Sequence, residues 1–275
     1  MCSTVNKLKL HSDGDFLLMK NMPALFISKM SHLYTLKGNR SVAKIMSELT
    51  SLLGLKAVLI IASVGSTSTM SVITEGLSTN HSGVRESTRN CKNLDYSSTE
   101  TLKFSQTLID IFMAHGLPII SCHNATFDVE AIDVVAQFLQ RQILPIVQIS
   151  VIKNATPSYY YQLGQALANL KSEGVLIVGS GSLTCYHPLA TEHNQVPDWV
   201  IAFETWMQRQ ILLNNIYKII DYRKEAPFAI FNHPTEEEIM PLFVIMGAME
   251  IGAKSKQVYL KNKSDNQLLD GFVFS

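Results

Sequence analysis

Apolar and polar residues alternate along this chain on the length scale of whole elements. Three stretches are almost continuously apolar: 57–62 (AVLIIA), 144–151 (LPIVQISV) and 174–178 (GVLIV). A strand reads this way when both of its faces are buried, as in a parallel sheet covered by helices. A shorter run at 24–28 (ALFIS) predicts one more strand. Helical spacing appears between the runs. Residues 39–55 place Val42, Ile45, Met46, Leu49, Leu52 and Leu53 on one face, and 158–170 predict a second helix that stops before Glu173-Gly174. Residues 198–213 predict a third, with Trp199, Ala202, Phe203, Trp206 and Ile211 as its inner stripe. Strand–helix alternation implies an α/β fold, a single domain over 22–275 with a central, mainly parallel sheet flanked by helices. Residues 1–21 read as an N-terminal extension. Residues 65–106 are dominated by Ser, Thr and Asn, and predict a polar surface loop or flap after the 57–62 strand.

Composition narrows the function classes. A chain of 275 residues that is 47% hydrophobic and 17% charged has enough apolar surface to fold, which excludes disorder. Lys+Arg and Asp+Glu balance at 23 each, so no basic footprint favours a nucleic-acid partner. The apolar run at 57–64 is too short for a bilayer, and charges interrupt the first twenty residues. The expectation is a cytoplasmic protein with no membrane partner. Cys2, Cys91, Cys122 and Cys185 lack the spacing of a zinc knuckle or a disulfide framework. Eight histidines would be ample for a metal site.

Several short motifs can be weighed on their own chemistry. Gly179-Ser180-Gly181-Ser182 follows a buried strand, but Thr184 stands where a dinucleotide fingerprint needs its third Gly. Thr235–Glu238 predicts a capping box that opens a helix over 239–248, which gives the three acids a structural role. Cys185 and His187, with His193 and Glu192 close by, can be read as part of a metal site or as a thiol–imidazole pair. A half-buried thiol beside a surface His explains them as well.

Five collinear segments carry a resemblance: LPIVQISV (144–151), YYYQLGQALANLKSEGVLIVGSGS (159–182), PDWVIAFETWM (197–207), YRKEAP (222–227) and HPTEEEIMPLFVIMGAM (233–249). In this order and spacing the chain resembles the extradiol DOPA dioxygenases, class III ring-cleavage enzymes of the LigB type, and their plant branch in particular. The resemblance implies a LigB-like α/β fold. It also implies a non-heme Fe(II), or Zn(II), that holds a catechol such as L-DOPA beside O2, with further His residues moving protons.

The positions matching that chemistry carry other residues. The family's metal ligands map onto Lys29, Val64 and Glu238, and its proton-transfer His residues onto Val129 and Cys185. Val has no donor atom, and a protonated Lys opposes a dication. A facial site needs three protein ligands, so Glu238 alone cannot hold Fe(II). The expectation is a metal-free, non-catalytic relative without cofactor, whose substrate-pocket candidates are Lys29, Val64, Val129, Cys185 and Glu238. Its partner would be a small aromatic ligand or a paralogous subunit. The alternative is an active dioxygenase with a rearranged site, drawing on His32, His81 and His187 with Glu238. A third reading makes Cys185 a nucleophile activated by a neighbouring His.

Overall fold

In a computed structural model of the chain, the described residues are 21–28, 54–73, 98–122, 127–128, 131–132, 134–135, 139, 144–185, 196–250, 252–257 and 271–275. They form eight strands of one sheet: β1 (Ala24–Ser28), β2 (Ala57–Thr67), β3 (Met70–Ile73), β4 (Ile119–Cys122), β5 (Ile146–Ile152), β6 (Val175–Gly181), β7 (Ser255–Gln257) and β8 (Gly271–Phe274). Their order across the sheet is β4-β3-β5-β2-β6-β1-β8-β7. β5, β2, β6 and β1 are mutually parallel, and β3 and β4 are parallel to each other. β3 meets β5, and β8 meets β1 and β7, in antiparallel fashion. The fold is therefore α/β with a mainly parallel sheet, as the uninterrupted apolar runs predict.

Register explains why those runs are uninterrupted. Val58 lies opposite both Ile146 and Leu176, so residues of like parity line up on each face. Leu59, Ile61, Val147, Ile149 and Ile177 point into one apolar layer, and Val58, Ile60, Ile146, Leu176 and Val178 into the other. The first layer is roofed by α2 (Pro157–Leu167), α3 (Asp198–Leu212) and a later buried helix. The second is covered by Phe127, Ile132 and Val135. Each strand is thus apolar on both sides.

The helices obey local rules at their starts. In α1 (Thr99–Ala114), Ser98 Oγ accepts the Thr101 amide at 3.1 Å. Gly116, at φ +67°, ends it with a left-handed turn. α2 has Thr156 as N-cap and Pro157 in its first turn. The Tyr160 hydroxyl donates to the Ile152 carbonyl at 2.8 Å and accepts its amide at 2.7 Å, which pins α2 to the end of β5. Three short helices follow α3: α4 (Ile216–Ile220), α5 (Tyr222–Glu225) and α6 (Ala229–Asn232). α7 (Met240–Gly247) is buried at every residue, which leaves it no polar face. No helix among the described residues is long and apolar enough to cross a membrane.

Four expectations need correction. The polar stretch 65–106 is not one loop: β2 continues through Thr67, Met70–Ile73 is a fully buried strand, and α1 begins at Thr99. Four residues suffice for β3 because β4 and β5 flank it on both sides. Gly179 and Gly181 lie inside β6, not in a turn after it. The capping box does not form: α7 starts at Met240, after Ile239, which makes no side-chain cap. Thr235 is exposed, and Glu236 turns instead to Tyr222. In α3 the deeply buried side is Val200, Phe203, Met207 and Ile211, with Trp199, Ala202 and Trp206 half-buried at its flank. The 39–53 part of the first helical pattern and residues 1–20 of the extension lie outside the described residues. Asn21 is already tied in, donating to Glu250 Oε1 at 2.6 Å.

Candidate functional site

The carboxyl ends of β1, β2 and β6 converge on one edge of the sheet, where an α/β fold places its ligand crevice. Beyond β6 the chain runs directly under the segment that enters α7. The Ser182 amide donates to the Glu238 carbonyl at 2.8 Å. This contact needs glycine beneath it, since a Cβ on Gly181 would come within 2.2 Å of the Glu238 oxygen. The Gly-Ser-Gly sequence therefore serves close packing of backbone on backbone, a role that requires no phosphate.

Two residues further on, the chain meets α6. The Thr184 hydroxyl donates to Asn232 Oδ1 at 2.7 Å, and the Cys185 amide to the Asn232 carbonyl at 3.1 Å. Cys185 Sγ then lies 3.2 Å from Nδ1 of His233. The other ring nitrogen, Nε2, sits 2.8 Å from the Leu183 carbonyl. A carbonyl oxygen only accepts, so Nε2 carries the ring hydrogen, and Nδ1 turns its lone pair to the thiol. The imidazole is fully buried between the rings of Phe203 and Tyr222. Burial lowers its pKa from 6.5 to about 4; the Leu183 hydrogen bond opposes this and the nearby Arg223 charge adds to it. His233 is therefore neutral at physiological pH, with both nitrogens engaged.

Around this pair the polar groups interlock. Arg223 Nη1 donates to the His233 carbonyl at 2.8 Å, and its Nε lies 3.8 Å from Glu236 Oε1. The Tyr222 hydroxyl donates to the same Glu236 oxygen at 2.8 Å. Burial, reinforced by Glu236, raises the Tyr222 pKa far above its ordinary value. On the opposite face of β6, buried Asp128 accepts from Ser180 Oγ at 2.9 Å and from the Ala131 amide at 3.1 Å. Its own amide donates to Gln148 Oε1 at 2.7 Å.

Of the five candidates, Val64, Cys185 and Glu238 are among the described residues, whereas Lys29 and Val129 lie outside them. Val64 and Glu238 are half-buried and Cys185 is exposed. Among the described residues no three of His, Cys, Asp and Glu gather as a metal site would require. The donors at the described positions do not fit a divalent ion: an aliphatic side chain, a thiol facing an imidazole, and one carboxylate. His32, His81, His187 and His193, the histidines invoked for other sites, lie outside the described residues. A separate cavity of about 440 Å³, lined by Tyr161, Gln165, Asn214, Met246 and Met249, opens at the far end of α7. It takes in none of the candidate positions.

His233 is the partner that sequence reasoning passed over. It stands 48 residues from Cys185, in the segment that leads to Glu238. No local signal joins the two. They meet because β6 and the entry to α7 end on the same edge of the sheet.

The architecture defines an α/β protein built on one mixed, mainly parallel sheet. A crystal structure of uncharacterized protein JW3007 from Escherichia coli K12 shares that fold, with a TM-score of 0.69 at 19% identity over 92% of this chain and all of that one. Residues 28–268 match the family model "catalytic LigB subunit of aromatic ring-opening dioxygenase", and the chain belongs to this family. A 4,5-DOPA dioxygenase extradiol from Beta vulgaris is 36% identical over 129 residues, 46% of this chain and 47% of that protein. One from Mirabilis jalapa is 33% identical over 119 residues, 42% of this chain and 44% of that protein. The aligned part thus spans less than half the length of these curated relatives.

Proposed function

We propose that this chain is a LigB-family protein that has lost ring opening and acts by binding. It holds a small aromatic ligand at the crevice, or a paralogous subunit, with no metal or cofactor. The observation that carries this reading is Val64. It lies within β2, three residues before the strand ends at Thr67, at a position where the family resemblance calls for a ligand, and no rotamer of an aliphatic side chain can supply a lone pair. Cys185, at a proton-transfer position, is turned to a histidine whose second nitrogen is already bonded. Lys29 and Val129, placed by the same resemblance, extend the replacement to both ligand and acid–base roles. Loss of the acid–base groups alone costs about 10²–10⁴ in rate.

Metal loading tests the proposal. The purified chain is incubated anaerobically with Fe(II), and separately with Zn(II), then desalted. Metal per chain is measured by mass spectrometry, and O2 uptake with DOPA by electrode. Retention far below one ion per chain, without O2 uptake, is expected. One Fe(II) per chain with DOPA-dependent O2 consumption would overturn it and point to the rearranged ligand set.

A further inference from the structure

Cys185 and His233 form a unit that a binding role does not use. A nucleophile, a base within hydrogen-bond reach and a group that orients the base are the parts of an activated side chain. All three are present: Cys185 Sγ, His233 Nδ1 at 3.2 Å and the Leu183 carbonyl at 2.8 Å from Nε2. The base is locked between Phe203 and Tyr222 in the interior, while the thiol residue is exposed to solvent. Aromatic residues flank the segment that holds the Cys185 backbone. Asn232, which fixes the Cys185 backbone, also donates to the carbonyls of Trp199 and Phe228. The rings of Trp199 and Phe231 lie 6.3 Å apart and those of Phe228 and Phe231 6.4 Å, with Phe231 70% exposed.

We infer that Cys185 is a covalent modification site for soft electrophiles of the conjugated-carbonyl class, with His233 as the base. Sγ bonds to the β-carbon of the acceptor while the thiol proton passes to Nδ1. The electron pair of the carbon–carbon double bond moves to the carbonyl as an enolate. The α-carbon then takes a proton back from the imidazolium. The net change is addition of S–H across a double bond, with no oxidant or reductant. Among the described residues Arg223, on α5, is the charged group that acts on His233, and it is itself paired with Glu236, which also accepts from Tyr222. Burial leaves the imidazole unprotonated through the neutral range but makes it a weaker base than free histidine, so proton transfer must accompany formation of the carbon–sulfur bond.

The full chain is exposed to limiting N-ethylmaleimide from pH 5 to pH 8, with N-acetylcysteine in the same mixture. Labelling at Cys185 is followed by peptide mass spectrometry. A simple thiol reacts through its thiolate, so its rate rises about tenfold per pH unit. Cys185 passes its proton to a fixed base, so its rate should change by less than about threefold over that range. Its advantage over N-acetylcysteine is then greatest at pH 5, and His233→Gln removes it. If Cys185 follows N-acetylcysteine at every pH, or labels only in urea, the inference fails. The wild-type profile decides this even if the variant does not fold, and metal content has no bearing on the outcome.

Discussion

His233 shows how a single buried residue couples the fold to pH. The folded chain holds it neutral with a pKa near 4, whereas an unfolded chain binds its proton near 6.5. Between those values the unfolded state carries more protons, so stability rises with pH across the window. The contribution is complete above about pH 6.5 and is lost as pH falls toward 4, amounting to about 3 kcal/mol. Urea midpoints from pH 7 to pH 4 should therefore fall more steeply for the wild type than for His233→Gln. Parallel profiles would mean that the imidazole is already protonated in the folded chain.

Elements in this molecule are set by where backbones touch. α2 and α7 cross at Gly164 and Gly247, where a Cβ on Gly164 would come 2.0 Å from the Val244 carbonyl and one on Gly247 2.0 Å from the Tyr161 carbonyl. In an exposed helix, Gly→Ala gains about 1 kcal/mol from propensity alone. Here the added methyl has only backbone to push against, so overpacking reverses the sign. Gly164→Ala should cost about 2 kcal/mol or more in denaturation experiments. Exposed Gln165→Ala, one residue along the same helix, should stay within about 0.5 kcal/mol of wild type. The same contacts explain which elements the sequence pattern could reveal. β2, β5 and β6 are legible because burial on both faces writes itself directly into composition. The start of α7 is not, because its entry segment is fixed by the Gly181–Glu238 contact, between residues distant in sequence. Thr235–Glu238 looks like a cap only when that contact is ignored. β3 is hidden among serines and threonines because its burial comes from β4 and β5, which lie far along the chain.

At the scale of the whole molecule, the same distinction separates fold from site. Strand–helix alternation predicts the mainly parallel sheet, and the five collinear segments predict the family. Neither brings Cys185 to His233, because that pairing exists only once β6 and α7 share an edge. Closure of the sheet on its other side depends on β8, which runs antiparallel against β1 and carries β7 on its outer edge. Phe272 lies opposite Phe26 and is fully buried, with its ring 6.3 Å from that of Phe274. β8 is therefore the strand that covers β1 on the side away from β6. Phe272→Ala should cost about 3–5 kcal/mol. That is a large part of the roughly 5–15 kcal/mol that holds a typical domain together. A loosened β8 would also expose the hydrogen-bonding edge of β1, a template for pairing between chains. The variant should therefore unfold at lower urea and scatter more light as its concentration rises. An unchanged midpoint with no added scattering would show that β8 contributes little to holding the sheet closed.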